Sequence, residues 1–386
     1  MTKTQSLLKF ATLSGVLAFL LIGSSALAQE KGQAVVNSHD TVSTIASTVP
    51  ANGDVNPYGV VRVTSTLGNL TEGDTLVSNF NNSQNLQGTG TTIVDISPDG
   101  SVNLFAQINP DKLPGPCPGG VGLTTALAVL REGWVIVGSL PTKDGTSATA
   151  KAGCLIVLNS KGTPVETFFG SLINGPWDMT ALDEGNQATL FVTNVLNGTV
   201  AAKGNVVDGG TVVRINLGVS ETKMPWIEAF DVIGSGFEER TDPNALVIGP
   251  TGVGLSRRCT DADTGNCTLR ADAVLYVADT LKNRVVAIPN ALTRATSANT
   301  GTTVSSRGSL NGPLGLTIAS NGDILTVNGG DGYITEITPE GKQVAKFLLD
   351  DNGTPPGGGA LFGLVDDPGV GIVFVDDDSN SLNKLN

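Results

Sequence analysis

Residues 309–347, SLNGPLGLTIASNGDILTVNGGDGYITEITPEGKQVAKF, contain four short strand-like segments separated by turn residues. Asn321-Gly322 suits a hairpin turn, because both residues tolerate the positive φ angles that tight hairpins need. Pro339-Glu340-Gly341 is a second turn signal, since proline fixes φ early in a turn. The predicted strands are 315–319, 323–328, 333–338 and 343–347. Four short antiparallel strands in succession are typical of one blade of a β-propeller.

Similar units recur along the chain, with inner strands predicted to begin near residues 59, 126, 178, 252, 315 and 363. This spacing leaves no room for a seventh unit. The last unit lacks an outer strand, whereas residues 41–47 form a spare strand-like segment before the first unit. Joining the two would close the ring and remove exposed strand edges. The sequence therefore predicts an all-β fold, a six-bladed β-propeller of four-stranded antiparallel blades closed by an N-terminal strand.

Residues 1–28 have the pattern of a signal peptide. Lys3 and Lys9 supply the positive end, residues 11–22 are apolar, and Ala26-Leu27-Ala28 fits a cleavage site. The apolar segment is short for a membrane span, and no later segment of that length is apolar. We therefore expect a secreted or periplasmic protein, cleaved near Ala28, with no transmembrane segment in the mature chain. Residues 29–386 are predicted to form a single propeller domain.

The composition indicates an acidic, turn-rich protein. The formal net charge is −13, and such a surface repels phosphate backbones, so nucleic acid is a poor partner. Charged residues make up 15% of the chain, apolar residues make up 40%, and 49 residues are glycine. This balance favours a folded β protein over a disordered chain. We expect a monomer.

The four cysteines suit an oxidising compartment. Cys259 and Cys267 flank a short loop, and Cys117 and Cys154 both fall in the second unit. The favoured pairing is Cys117–Cys154 with Cys259–Cys267, although the sequence does not exclude the other two pairings or free thiols. A zinc site has less support, because no C-x-x-C spacing occurs.

Several units resemble the NHL-repeat family of propellers. That family combines P-x-G and an apolar pair with a later V-[AS]-[DN] and then N-x-[VI]. The pattern is most complete in unit four, where it reads Pro250-Thr251-Gly252-Val253, then Val277-Ala278-Asp279, then Asn283-Arg284-Val285. It recurs in part in unit one as Pro57-Tyr58-Gly59-Val60 and in unit five as Pro313-Leu314-Gly315-Leu316. The resemblance implies a propeller over nearly the whole mature chain. It says little about activity, because one fold hosts many functions.

The residue between Pro and Gly in this motif is predicted to lie at the mouth of the central channel. In the similar regucalcin and gluconolactonase-like propellers, such positions carry calcium ligands, which must be hard oxygen donors. The six positions here are Tyr58, Thr125, Trp177, Thr251, Leu314 and Phe362. None is a carboxylate or an amide, and Asp178 lies one residue beyond the set. The set suits an apolar or sugar-like ligand, and the alternative is a plug that fills a narrow channel.

A second set of polar residues follows the second strand of each unit. Its members are Asn79, Ser139, Asn194, Asp279, Asn328 and Asp376. If these strand ends converge, Asn79, Asn194, Asp279 and Asp376 could bind Ca²⁺. The alternative is that each side chain caps its own bend, which is common for such residues after a strand.

Catalytic motifs are scarce. His39 is the only histidine, and no nucleophile elbow, phosphate-binding loop or EF-hand pattern occurs. The sequence therefore favours a non-enzymatic binding or interaction module, without a cofactor, whose partner is a small molecule or a protein. The alternative is a divergent cation-dependent hydrolase or lactonase of the regucalcin and gluconolactonase class.

Overall fold

The computed structural model describes residues 1–2, 33–243, 245–256, 259–261, 266–267, 272–367 and 369–386. Six antiparallel sheets of four or five strands follow one another along the chain, and their neighbouring strands follow in sequence order with two exceptions. The N-terminal strand joins the last sheet, and a small two-stranded hairpin lies between the first two strands of the fourth sheet. The inner strand of each sheet contacts the inner strand of the next sheet, and the sixth contacts the first. These contacts close a ring, so the predicted six-bladed propeller is confirmed.

The inner strands begin within about four residues of the predicted positions in all six blades. Blade one consists, from the inner to the outer strand, of Val55–Arg62, Thr75–Asn81, Thr92–Ile96 and Val102–Gln107. Blade two consists of Leu123–Val129, Val135–Ser139, Cys154–Leu158 and Pro164–Phe168. Blade three consists of Pro176–Asp183, Gln187–Asn194, Val207–Gly218, Trp226–Asp242 and a fifth strand, Leu246–Ile248.

The second half of the ring has the same order. Blade four consists of Pro250–Leu255, Leu275–Asp279, Arg284–Ile288 and Thr302–Ser306. Blade five consists of Pro313–Ile318, Ile324–Asn328, Tyr333–Ile337 and Gln343–Leu348. Blade six consists of Leu361–Asp367, Gly371–Asp376, Ser381–Leu385 and the N-terminal strand Val42–Ser47. The short helices are Val36–Ser38, Pro110–Lys112, Ser147–Thr149 and Thr199–Ala202.

The N-terminal strand completes blade six. Val42–Ser47 pairs antiparallel with Ser381–Leu385, as the spare strand-like segment predicted. The residues before it dock on blade five, where the buried Glu336 carboxylate accepts the backbone amides of Val35 and Val36 at 2.9 and 2.8 Å. Charge-assisted hydrogen bonds of this kind are stronger than neutral ones. The segment is thereby held in place before the closing strand begins.

The glycine of the P-x-G motif lies where neighbouring inner strands come closest. A Cβ at Gly59 would lie 2.9 Å from the carbonyl oxygen of Thr125 in blade two. A Cβ at Gly315 would overlap the carbonyl oxygen of Phe362 in blade six. These glycines therefore let the inner strands converge around the axis. Blade three departs from the pattern, because Asp178 follows Trp177 where these blades have glycine.

The hydrophobic core is divided among the spaces between blades. Val157 of blade two packs in one cluster with Ile215 of blade three. Phe191 of blade three belongs to a second cluster with Val277 of blade four. Each blade thus buries its two faces against its neighbours, as in other repeat folds.

Blade three contains a hairpin that the strand pattern did not predict. Its outer strand continues to Asp242 and pairs with Leu246–Ile248. The fully buried Glu239 accepts the backbone amide of Asn197 at 2.7 Å. Burial raises the pKa of Glu239 to about 7, and this hydrogen bond opposes the rise. The hairpin is therefore tied to the loop that follows the second strand of its own blade.

One of the two predicted disulfides, Cys117–Cys154, is present. Cys259 and Cys267 occupy paired positions in a small hairpin of Cys259–Asp261 and Asn266–Cys267, but their side chains lie outside the described residues. The predicted signal peptide also falls, except for its first two residues, outside the described part of the chain. Across the described residues, no helix is long and apolar enough to cross a membrane.

Candidate functional site

The six residues predicted for the channel mouth are buried at one end of the channel. The ring of Tyr58 stacks on Phe362 with centroids 3.8 Å apart and on Phe80 with centroids 4.4 Å apart. Trp177 lies 6.4 Å from both Tyr58 and Phe362. Tyr58, Phe80, Trp177 and Phe362 thus form a packed group, which we call the aromatic layer. This packing corresponds to the plug alternative, and a ligand-binding role for the six positions stays a prediction.

Two further members of the set, Leu314 and Thr251, extend this layer. Leu314 shares a buried cluster with Tyr58 and Trp177. The hydroxyl of Thr251 is fully buried, 2.7 Å from the hydroxyl of Thr280 and 3.1 Å from the carbonyl oxygen of Leu314. Side chains with these contacts tie neighbouring blades together, because buried polar groups need hydrogen-bond partners.

The hairpin of blade three covers the outer side of the aromatic layer. Leu246 and Val247 are buried in the same cluster as Tyr58 and Trp177. The gap that Tyr58, Trp177 and Ala245 help to line has a cavity volume of about 0 Å³, so no water fits there. Burial, followed by the negative charge of Asp377, raises the pKa of Tyr58 well above its usual value. This end of the channel is therefore closed by neutral, tightly packed side chains.

The polar residues that follow the second strands are buried as well, and several bond to the backbone of adjacent loops. The Asn79 amide donates to the carbonyl oxygen of Thr48 at 2.9 Å, and the Asn328 amide donates to that of Ser309 at 2.9 Å. Asp376 accepts the backbone amide of Ser379 at 3.2 Å. The bond of Asp376 caps its own bend, as the capping alternative expects, whereas the two amides join their strand ends to loops that are distant in the chain.

The proposed calcium ligands are a poor donor set for calcium. Asp279 accepts a hydrogen bond from Arg284 Nε at 2.8 Å, so a guanidinium already neutralises this carboxylate. Burial raises the pKa of Asp279, and Arg284 opposes the rise. Two of the remaining ligands, Asn79 and Asn194, are amides. Within the described ranges, no three Asp, Glu, His or Cys residues form a cluster that could hold a metal ion. The described residues therefore offer no carboxylate cluster for calcium, and a calcium site at Asn79, Asn194, Asp279 and Asp376 stays a prediction.

The channel is open on the inner side of the aromatic layer. A cavity of about 620 Å³ is lined by the inner strands of all six blades. Its wall exposes slightly more apolar than polar surface and includes Val60, Leu127, Met179, Leu316 and Leu364. Volumes of about 300–1,000 Å³ and predominantly apolar walls are typical of sites for small molecules. We call this cavity the channel pocket.

Asp178 lies at the closed end of the channel pocket, directly after Trp177 in the chain. Its carboxylate oxygens accept the backbone amides of Met179 at 2.8 Å and of Val253 at 3.1 Å. Val253 belongs to the inner strand of blade four, so the carboxyl group bridges two blades. Asp178 thus has a side chain at the close approach of two inner strands, where the equivalent residues of blades one and five, Gly59 and Gly315, have none.

Burial raises the pKa of Asp178 to about 8, although the two amide hydrogen bonds oppose the rise. No neighbouring charged side chain contributes to the shift. The carboxyl group is therefore largely protonated at neutral pH. Strongly shifted pKa values in clefts are concentrated at functional sites, although structural groups also show them.

Thr125, on the inner strand of blade two, also lines the channel pocket. It is 5% exposed, and its hydroxyl has no hydrogen-bond partner among the described residues. Leaving a buried hydroxyl unpaired costs about 1–3 kcal/mol, so such a group is a ready partner for a ligand. Asp178 and Thr125 together give the floor of the channel pocket two hydrogen-bonding groups.

The sequence included Thr125 among the site residues but placed Asp178 outside the set. The signal that could have identified Asp178 is local. In Pro176-Trp177-Asp178 an acid replaces the glycine that Gly59, Gly252, Gly315 and Gly363 supply in other blades. A large polar residue at a position of close strand approach indicates a special local arrangement.

The opposite end of the channel pocket has polar residues. Arg62 lies there and forms an ion pair with Asp367. Asp366 accepts the backbone amide of Ser320 at 2.6 Å. Arg62 is four residues beyond Tyr58 on one inner strand, which separates the two ends by roughly 13 Å at 3.3 Å per residue.

Comparison with known proteins supports the fold. No family model matches the chain, and no curated protein matches it. Regucalcin, a calcium-binding protein from Agrobacterium tumefaciens, superimposes with a TM-score of 0.53 and 12% identity over 88% of this chain and 92% of that chain. A gluconolactonase from Xanthomonas campestris gives a TM-score of 0.50 and 11% identity over 89% and 88%. A luciferin-regenerating enzyme gives a TM-score of 0.50 and 11% identity over 87% of this chain and 88% of that chain.

The chain is thus a six-bladed β-propeller with structural neighbours in the regucalcin and gluconolactonase class. Identities of 11–12% show a shared fold and do not transfer an activity.

Proposed function

We propose that this protein is a small-molecule-binding propeller whose ligand enters the channel pocket from the end opposite the aromatic layer. The observation that carries the proposal is the cavity of about 620 Å³ with a closed floor. The apolar part of its wall and the polar groups of Asp178 and Thr125 match the usual composition of a ligand site. The ligand expected at the aromatic mouth is therefore proposed to lie on the inner side of the aromatic layer.

The proposal includes export, an NHL-like repeat and a monomeric state. The Cys117–Cys154 disulfide supports export, because disulfides persist mainly in oxidising compartments. The contacts of Gly59 and Gly315 support the NHL-like motif, since they give its glycine a physical reason. Closure of blade six by Val42–Ser47 supports a monomer, because the closing strand pairs within the same chain.

The channel pocket can be tested with the neutral fluorescent probe N-phenyl-1-naphthylamine. The mature protein should bind it saturably at one site per chain. Thr317 lines the pocket, so an indole in Thr317→Trp should fill it and weaken probe binding at least about tenfold. Thr302 is exposed on the outer strand of blade four, and Thr302→Trp is the matched control that should bind as the wild type does.

The proposal fails if the folded Thr317→Trp protein, checked by circular dichroism, binds the probe as tightly as the wild type. Absence of saturable binding to the wild type also contradicts it. Metal analysis separates the binding module from the calcium-dependent hydrolase. We expect no stoichiometric calcium and a melting temperature that EDTA leaves unchanged, because the donor set is unsuited to calcium. One calcium per chain, removed by EDTA together with several degrees of melting temperature, would favour the hydrolase.

A further inference from the structure

The channel pocket contains more acidic than basic side chains. Among the described residues that line it, the acidic and basic ones are Arg62, Asp178 and Asp366. Arg62 is already paired with Asp367, which lies next to Asp366 in the chain. The carboxyl groups of Asp178 and Asp366 have no cationic partner within this lining set. The pocket therefore has acidic groups at its floor and at its open end, and its arginine is neutralised.

The floor has free capacity for hydrogen bonds. The Asp178 carboxyl accepts one amide on each oxygen, whereas an ionised carboxylate offers about four lone-pair positions. The Thr125 hydroxyl is buried and unpartnered in the described structure, and it can donate or accept. A group that donates two or three hydrogen bonds would satisfy both residues. A protonated amine has three donors and no acceptor.

We propose that the channel pocket binds an amphipathic amine, with the ammonium group on Asp178 and Thr125 and an apolar body along the channel wall. This inference rests on the proposed function, because it names the ligand class of the same pocket. A buried ammonium needs a charged partner, since an unpaired buried charge is strongly unfavourable. Asp178 supplies that partner, and Val60, Leu127 and Leu364 supply apolar surface for the body.

The charge of the whole protein acts in the same direction. A net charge of −13 raises the local concentration of small cations around the pocket and speeds their association. An anionic ligand would meet both Asp178 and Asp366 without a free cation in the lining. A neutral alcohol could bond to Thr125 but would gain nothing from ionisation of Asp178.

Three probes of matched size separate these ligand classes: 4-phenylbutylamine, 4-phenylbutanol and 4-phenylbutyrate. Their dissociation constants for the mature protein are measured by titration calorimetry at pH 8. We expect the amine to bind at least about tenfold more tightly than the alcohol, because a charged hydrogen bond is stronger than a neutral one. The carboxylate should bind most weakly.

Asp178→Asn should remove this preference and bring the amine and alcohol constants to within about threefold of each other. Thr125→Val should weaken amine binding less, since it removes a neutral partner. Asp366→Asn, at the open end, is the matched control for loss of one negative charge and should retain the preference for the amine.

The pH dependence gives a signature that a purely structural role of Asp178 would not produce. No charged side chain contributes to the raised pKa of this carboxyl, which faces the amides of Met179 and Val253. Amine binding requires the ionised form, so the amine affinity should rise about tenfold from pH 6 to pH 7 and level off above about pH 8. The alcohol affinity should not rise over this range.

The outcomes distinguish this inference from the proposed function. If the alcohol binds as tightly as the amine and Thr317→Trp abolishes both, the channel site stands and the amine preference is overturned. If Thr317→Trp leaves amine binding intact, both proposals fail. Failure of the amine to bind at millimolar concentration, while the neutral dye still binds in the channel, overturns the amine preference alone.

Discussion

The two ends of the channel differ although the same six inner strands build both. At the closed end Tyr58, Trp177 and Phe362 meet near the axis, and the hairpin of blade three covers them. A few residues further along, the wall contains small residues such as Ala181 and Gly254, and the space remains open. The comparison teaches that side-chain volume at successive positions, and not the strand scaffold, decides where a propeller channel is filled.

The largest expected effect is at the closed end. Trp177→Ala should lower the free energy of unfolding by about 3–5 kcal/mol, because it leaves a cavity in the aromatic layer. Urea unfolding measures the loss. Trp226 is 45% exposed on an outer strand, so Trp226→Ala should change stability by less than about 1 kcal/mol. Equal effects of the two substitutions would contradict the view that the aromatic layer is a packed plug.

A medium effect is expected where the strands converge. Gly315→Ala should cost about 1–3 kcal/mol, because its new methyl group would overlap the carbonyl oxygen of Phe362. Gly369 has only a side-chain atom of Asp367 at 3.5 Å from the position of an added Cβ. Gly369→Ala is therefore the control, with an expected change near zero by the same unfolding measurement. If Gly315→Ala left the free energy of unfolding unchanged, the inner strands would have to separate easily.

A third effect, which depends on pH, concerns the floor between the two ends. The folded-state pKa of Asp178, about 8, lies above the usual value of 3.8 for an aspartate side chain, so between about pH 4 and pH 8 the folded protein retains a proton that the unfolded chain has lost. This stabilisation is complete below pH 4 and is lost as the pH rises toward 8, at up to about 1.4 kcal/mol per pH unit. Asp178→Asn should remove this part of the slope in unfolding free energy measured from pH 4 to 9.

Asp95 supplies the control for the pH experiment. Burial, and then the charge of Asp74, raises the pKa of Asp95 to about 6. Asp95→Asn should therefore flatten the stability curve only below about pH 6, whereas Asp178→Asn should flatten it up to about pH 8. If the slope between pH 6 and 8 is unchanged in Asp178→Asn, the carboxyl is not buried and protonated at the channel floor.

The repeat units were predictable because most strands are short and are bounded by turn residues. The third and fourth strands of blade five, Tyr333–Ile337 and Gln343–Leu348, begin at the predicted residues. The spare N-terminal segment also identified the closing strand. The strand Leu246–Ile248 was missed, since three apolar residues after a turn have no periodicity and gain a partner only when the preceding strand extends to Asp242.

The sequence by itself determined the number of blades, their order and the closure of the ring, because these depend on local turn chemistry and on one unpaired strand. It also placed Tyr58, Trp177 and Phe362 near the axis through their fixed position beside the motif glycine. Only the tertiary structure decided that these rings fill the channel, that Asp178 forms its floor, and that the open volume lies beyond them. The physical reason is that a channel volume is what remains after side chains from six separate strands have packed together. No single strand contains that information.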